Sequence, residues 1–102
     1  MSPLDPTSAP ALLTTLPLWR ADHAAGKITR TFRFDDLAQA FGFMAEMATV
    51  SERMNHHPEW FNVYNRLDVT LTTHDAGGLS TLDIDWARLA DQAFARRSAA
   101  AA

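Results

Sequence analysis

The sequence predicts an α+β fold: a four-stranded antiparallel sheet with helices packed on one face, in the order α-β-β-α-β-β-α. Two pairs of short segments in which apolar and polar residues alternate predict the strands. Three segments with apolar residues at helical spacing predict the helices. This order of elements is typical of an antiparallel sheet covered by helices.

The first part of the chain is predicted to form a short helix followed by a β-hairpin. Pro10 suits the first position of a helix because its φ is fixed, and Pro17 would end that helix. The two strands of the hairpin are predicted at residues 19–21 and 28–34. Arg30 interrupts the otherwise apolar face of the second strand, and nothing in the sequence explains it.

A long helix is predicted from Asp36 to about Asn55, since Asp36 and Gln39 have capping-box spacing. The helix carries two apolar stripes roughly 120° apart, which is more than one sheet face can cover. Either the other helices cover the extra stripe, or it contacts a second subunit in a homo-oligomer, a dimer or tetramer. The stripes are Leu37, Phe41, Met44 and Ala48, and Phe43, Met47, Val50 and Met54.

The second part of the chain is predicted to form two further strands and a last helix. The strands are expected at residues 61–64 and 66–73, followed by a loop at residues 75–78. Ser80 and Asp83 have capping-box spacing and predict the start of the helix. Its buried stripe is predicted to be Leu82, Trp86, Leu89 and Ala93.

Length and composition favour one domain at residues 10–97, with a disordered tail at 1–9 and a frayed tail at 98–102. The net charge of −3 argues against direct binding of nucleic acid. No apolar run reaches the roughly 18 residues that a membrane span needs. The absence of cysteine excludes a disulfide framework and thiolate metal sites. The first residues lack the features of a signal peptide, so we expect a cytoplasmic protein.

Three of the four histidines lie in one short region, at His56, His57 and His74, between Glu52 and Asp83. Imidazole exchanges protons near neutral pH, so such a group suits proton transfer on a flat polar molecule. Glu52 and His56 share one face at the end of the long helix, and His74 ends a strand. If that strand lies beside the helix end, the three imidazoles converge on one pocket.

Two chemical interpretations of this cluster are open. Glu52 and the three histidines offer enough nitrogen and oxygen ligands for zinc. Adjacent histidines usually project in different directions, however, and no helix carries a pair at His-x-x-x-His spacing, so metal-free acid–base catalysis is favoured. Each residue also has a structural interpretation: Trp60 and Tyr64 as core or interface aromatics, and Asp83 as a carboxylate in the first turn of a helix.

These residues also carry a resemblance to a known family. The pattern Glu52-x₃-His56-His57-Pro58-x₅-Tyr64-x₉-His74-x₈-Asp83 resembles the signature of the pterin-4a-carbinolamine dehydratases, and the similarity extends from about Trp19 to about Phe94. The resemblance implies dehydration of 4a-hydroxytetrahydrobiopterin to the quinonoid dihydropterin, a step in tetrahydrobiopterin recycling. It also implies that neither a metal nor a bound cofactor takes part.

The resemblance assigns catalytic roles to His56, His57 and His74. We expect His56 and His57 to exchange the protons while His74 positions or assists, and which of them is acid and which base stays open. Asp83 is expected to be structural. The residues expected to bind the pterin are Glu52, His56, His57, Pro58, Trp60, Thr73, His74, Asp75 and Ala76.

Two other functions are compatible with the sequence. Proteins of this family can serve as dimerisation cofactors of a transcription factor, so the chain could be a binding module for a partner protein. It could also act on a different pterin, as in molybdopterin handling. The complete set of three histidines favours catalysis, because a scaffold has no need of it.

Overall fold

The computed structural model describes Leu4 and residues 9–101. The described residues form three α-helices, four strands and one 3₁₀ turn, which confirms the predicted α+β class and the order of elements. The elements are α1 (Ala9–Leu13), β1 (Arg20–Asp22), β2 (Lys27–Arg33), α2 (Leu37–Met54), β3 (Glu59–Val63), β4 (Arg66–Leu71), the 3₁₀ turn (His74–Ala76) and α3 (Thr81–Ala101).

The four strands form one antiparallel sheet in the order β1-β2-β4-β3. Strand alternation sends one set of side chains toward the helices and the other toward the open face. In β4, Leu67, Val69 and Leu71 are buried, whereas the side chains between them are only partly covered. On the open face, Thr70 of β4 lies opposite Glu59 of β3.

The core lies between the sheet and the two long helices. Phe32 of β2 contacts Phe43 of α2 and Phe94 of α3, with ring centroids 4.9 and 5.3 Å apart. Trp86 of α3 is fully buried, and its indole nitrogen donates a hydrogen bond of 2.9 Å to the hydroxyl of Ser51 in α2. The helices are thereby joined to one another and to one face of the sheet.

Helix α2 begins and ends where the sequence predicts. The Asp36 carboxylate accepts a hydrogen bond from the backbone N–H of Gln39, and Asn55 ends the helix in the left-handed conformation with φ of 51°. Of the two stripes, the one around Phe43 faces the core. Leu37 and Phe41 of the other stripe are 49% and 65% exposed, so the single chain leaves that stripe largely uncovered.

Arg30 is accommodated inside the fold by partners that come from α3. Its guanidinium donates a hydrogen bond of 2.5 Å to the Asp91 carboxylate and lies 4.2 Å from the centre of the Phe32 ring. Asp91 also accepts a hydrogen bond of 2.9 Å from the indole nitrogen of Trp19. The charge on the apolar face is therefore paired and stacked rather than left unsatisfied.

The buried face of α3 differs from the predicted stripe. Trp86 and Ala93 are buried as expected, but Leu82 is only partly buried and Leu89 is exposed. Small residues take much of the buried face and contribute little to an apolar pattern, which is why the prediction was wrong. The buried apolar residues of α3 are Ile84, Trp86, Ala87, Ala90 and Ala93.

The ends of the chain are described only in part. The backbone N–H of Leu4 donates to the carbonyl of Leu79 at 2.9 Å, and the Leu4 side chain packs against the core. The rest of the predicted N-terminal tail up to residue 8, and residue 102, lie outside the described residues. Within the described part of the chain, none of the helices has the length and hydropathy of a membrane span.

Candidate active site

The end of α2 places two adjacent histidines in different environments. The left-handed residue Asn55 turns the chain, and the backbone N–H of His56 bonds back to the carbonyl of Ser51 at 3.0 Å. The His56 side chain then points inward and is 8% exposed, whereas the His57 side chain is 55% exposed. The sequence expectation that adjacent histidines diverge is met here.

The inward histidine binds a buried carboxylate. The Nε2 atom of His56 lies 2.6 Å from Oδ1 of Asp83, which is fully buried. The other oxygen, Oδ2, accepts hydrogen bonds from the Thr73 hydroxyl at 2.7 Å and from the backbone N–H of Ser80 at 2.9 Å. Because Asp83 receives these donors, we assign the His56 Nε2–H as the donor to Oδ1, which leaves Nδ1 for other partners.

The hydroxyl network around Asp83 continues to the helix cap. The Thr73 hydroxyl donates to Asp83, so the Ser80 hydroxyl, 2.8 Å away, donates to Thr73. The Ser80 hydroxyl oxygen in turn accepts from the backbone N–H of Leu82 at 3.2 Å. Ser80 therefore caps α3 while Asp83 anchors the imidazole, and each polar group of the buried network has a partner.

The outward histidine has a carboxylate partner of its own. The Nε2 atom of His57 lies 2.5 Å from Oε2 of Glu52, which is in the last turn of α2 and five residues earlier in the chain. Both side chains are exposed, so solvent screens this pair more than the buried one. Glu52 thus orients the His57 ring.

The third histidine approaches from the segment that follows β4. Thr73 and Gly78 form an isolated antiparallel bridge that closes a small loop, and His74 begins the 3₁₀ turn within it. The His74 side chain is 84% exposed, and its Nε2 atom lies 3.8 Å from Oε1 of Glu59, beyond direct hydrogen-bond distance.

The three histidines line one cleft of about 270 Å³. The α2 terminus supplies one wall, and the segment after β4 supplies the other. The convergence that the sequence predicted is therefore present within a single chain. The residues that line the cleft are Asn55, His56, His57, Thr72, Thr73, His74 and Asp75.

Four residues that we expected to bind the pterin lie outside this lining: Glu52, Pro58, Trp60 and Ala76. Trp60 occupies the core side of β3, where its ring lies 6.3 Å from the ring of Trp86. Alternation along the strand sends Trp60 inward while Glu59 and Phe61 face out. Trp60 therefore supports the site from within the core instead of forming a wall of the cleft.

Sequence reasoning gave Asp83 only a structural role, and the structure adds its contact with His56. Capping-box spacing correctly located Asp83 at the start of α3 but could not reveal a partner far away in the chain. The signal in the sequence that could have indicated this contact is the family signature, which contains Asp83 together with the three histidines. As to metals, the described residues contain no group of three or more His, Asp or Glu side chains placed to hold an ion.

The family of the chain follows from comparison with known proteins. The family model described as pterin 4 alpha carbinolamine dehydratase matches residues 2–93. The chain belongs to this family. A Rhizobium etli protein named "Putative pterin-4-alpha-carbinolamine dehydratase" is 53% identical over 94 residues, which cover 92% of this chain and 93% of that protein. A Novosphingobium aromaticivorans protein with the same name is 59% identical, over 76% of this chain and 81% of its own length.

Solved structures show the same pterin carbinolamine dehydratase fold. A transcriptional coactivator/pterin dehydratase from Brucella melitensis matches with a TM-score of 0.85 and 43% identity, covering 90% of this chain and 98% of that one. A pterin dehydratase-like protein described as a RuBisCO assembly factor in the alpha-carboxysome matches with a TM-score of 0.66. It is 22% identical over 74% of this chain and 88% of its own, which shows a shared fold alone.

Proposed function

We propose that the chain converts 4a-hydroxytetrahydrobiopterin to quinonoid dihydropterin and water by histidine acid–base catalysis, in tetrahydrobiopterin recycling. The observation that carries this proposal is the convergence of three imidazoles on one cleft, two of them bound to carboxylates. Membership of the pterin carbinolamine dehydratase family supports the same reaction class. The activity belongs to the hydro-lyases, because a carbon–oxygen bond breaks and water leaves.

The reaction needs one proton donor and one proton acceptor. The acid protonates the hydroxyl on C4a. The C4a–O bond then breaks, its electron pair stays on the oxygen, and water departs. The N5 lone pair forms the new N5–C4a double bond, and the base takes the proton from N5. Because N5 itself helps to expel the hydroxyl, a general acid–base contribution of about 10²–10⁴-fold is enough for useful catalysis.

His56 is suited to hold a proton during this exchange. Asp83 fixes the ring through Nε2, so Nδ1 is the nitrogen that remains for the substrate. The Asp83 carboxylate is itself fully buried, so it stays in place beside the ring while the proton is exchanged. The network through Thr73 keeps the carboxylate oriented without help from solvent.

His57 and His74 supply the other groups of the cleft. Glu52 occupies Nε2 of His57, so that ring also offers its second nitrogen to the substrate. We propose that His56 and His57 exchange the protons and that His74 positions or assists at the opposite wall. Thr73 and Asp75 line the same cleft and contribute contacts to the pterin ring.

A coupled assay tests the proposal. An aromatic amino acid hydroxylase generates the 4a-hydroxytetrahydropterin, and the appearance of quinonoid dihydropterin is followed with and without catalytic amounts of the protein. We expect clear acceleration over spontaneous dehydration, unchanged after chelator treatment and removal of stoichiometric metal. A rate equal to the spontaneous one contradicts the proposal, and loss of activity with the metal contradicts its metal-free form.

A second candidate function is binding to a partner protein. The Brucella melitensis relative is described as both a transcriptional coactivator and a pterin dehydratase, so the two roles occur together in that description. In this chain Leu37 and Phe41 provide an exposed apolar surface on α2, away from the histidine cleft. A binding role therefore predicts that Phe41→Glu abolishes association with a partner while dehydration continues.

A further inference from the structure

A second groove adjoins the histidine cleft and shares two of its lining residues, Thr72 and His74. It has a volume of about 370 Å³ and opens on the sheet face that the helices leave free. Its remaining lining residues are Ala25, Lys27, Glu59, Thr70, Gly77 and Gly78.

The shape of this groove is held by contacts between two loops. Gly26 of the first hairpin has a φ of +66°, and a Cβ there would lie 2.8 Å from the Cα of Gly78. The hydroxyl of Thr72 donates a hydrogen bond of 2.7 Å to the carbonyl of Gly26. The hairpin turn therefore packs directly on the loop after β4, and the groove is part of the fold.

The polar lining of the groove combines donors and acceptors. Lys27, the one lysine in the sequence, provides ammonium N–H donors. Glu59 provides a carboxylate acceptor, and Thr70 directly opposite it provides a hydroxyl that can do either. Hydroxyl groups on a ligand could pair with all three. A phosphate would face the Glu59 carboxylate, and an alkyl chain would leave these groups without new partners.

The position of the groove matches the chemistry of the proposed substrate. C6 of a tetrahydropterin is bonded to N5, so its substituent leaves the ring beside the atoms that react. The histidine cleft, about 270 Å³, falls below the roughly 300–1,000 Å³ typical of small-molecule sites. A ring that fills this cleft needs additional space for its substituent, and the groove continues past Thr72 and His74.

We propose that the groove binds a hydroxylated side chain on C6 of the pterin and that Lys27 makes the enzyme prefer such a side chain to an alkyl group. This inference rests on the proposed dehydratase function. Lys27 acts on specificity, since it contacts the substituent and lies outside the histidine cleft.

Two 4a-hydroxytetrahydropterins, one with a dihydroxypropyl chain at C6 and one with a methyl group, test the proposal. We expect the wild-type protein to have the higher kcat/KM for the dihydroxypropyl substrate. Lys27→Met should lower the ratio of the two kcat/KM values about fivefold, through KM, because a hydrogen bond to a charged group is lost. Arg20→Ala removes an exposed cation from β1 outside the groove and should leave the ratio unchanged.

The outcomes separate this inference from the function on which it rests. If Lys27→Met lowers kcat/KM equally for both substrates, the groove binds the pyrimidinone edge that they share, and the proposal is overturned. An unchanged kcat/KM for both substrates also overturns it. Absence of turnover on both substrates by the wild-type protein overturns the dehydratase function itself and this inference with it. Thr70→Val keeps the shape of the groove and should also lower the ratio of the two kcat/KM values. This variant replaces Lys27→Met in the test if Lys27→Met does not fold.

Discussion

Oδ1 of Asp83 lies 2.6 Å from Nε2 of His56, and this contact joins the start of α3 to the end of α2. The second carboxylate oxygen is held by Thr73 and Ser80. A helix cap and an imidazole therefore share one buried anion. Under the proposed function, Asp83 is a positioning residue for His56, because its carboxylate sets which ring nitrogen is available to the substrate.

Asp83→Asn is expected to lower kcat about tenfold or more, with a smaller change in KM. The Asn carbonyl can still accept from Thr73 and Ser80, but its NH₂ group cannot accept the proton of His56 Nε2. Steady-state kinetics of the dehydration, with circular dichroism to confirm folding, measure the effect. Asp85→Asn, at an exposed position of the same helix turn, is the matched control and should behave as wild type. Normal kcat in a folded Asp83→Asn protein would remove the positioning role.

His56→Ala and His57→Ala are each expected to lower dehydration of the 4a-carbinolamine about tenfold or more while the fold persists. Each substitution removes an imidazole that a carboxylate orients toward the cleft. His23→Ala is the control, since His23 lies exposed in the first hairpin outside the cleft. Unchanged turnover in both site variants would remove their catalytic assignment.

The backbone arrangement was largely predictable because local patterns determine it. The alternation in β4 and the caps of α2 predicted nearly the observed bounds of these two elements. The predicted end of α2 before Pro58 also located one wall of the cleft. The predicted third strand began at residue 61, whereas β3 begins at Glu59. Apolar residues on both faces of β3 hid which face Trp60 would take, so its inward position could not be inferred.

The network of the site was harder to infer, because its contacts span distant parts of the chain. Periodicity locates Asp83 on a helix and His56 at a helix end, but it does not reveal that the two meet. The same limit applies to Arg30, which appeared as an unexplained charge until Asp91 and the Phe32 ring were seen beside it. Buried polar residues gain their partners through tertiary packing, which a pattern along one element does not record.

A pH-dependent contribution to stability is expected from Glu46. Hydrogen bonds from Arg96, with a further contribution from Arg97, lower the pKa of the Glu46 carboxyl below its usual 4.5. A lowered folded-state pKa means that the stabilisation is fully present above pH 4.5 and is lost as the pH falls through the lowered pKa. Glu46→Gln should therefore reduce the free energy of unfolding at pH 7 and converge with wild type in strong acid.

Urea unfolding of both proteins across that pH range measures the effect. Because the Glu46 ion pairs are partly exposed, the difference should also shrink in high salt. Asp85→Asn provides a control carboxylate without these arginine contacts, and its difference from wild type should vary little with salt. A Glu46→Gln difference that stays constant from pH 7 to strong acid would contradict the ion-pair explanation.

The exposed stripe of α2 predicts that the protein forms a homo-oligomer, a dimer or tetramer. Leu37 and Phe41 are largely exposed in the single chain, while the stripe around Phe43 is already buried against the core. An aromatic and a leucine side chain one helical turn apart gain free energy when an apolar partner surface covers them. Light scattering at micromolar concentration should thus give a mass above that of one chain, and Phe41→Glu should reduce it. Thr49→Glu, at an exposed position of α2 outside the stripe, should leave the mass unchanged. A wild-type monomer under these conditions would mean that the stripe serves another purpose.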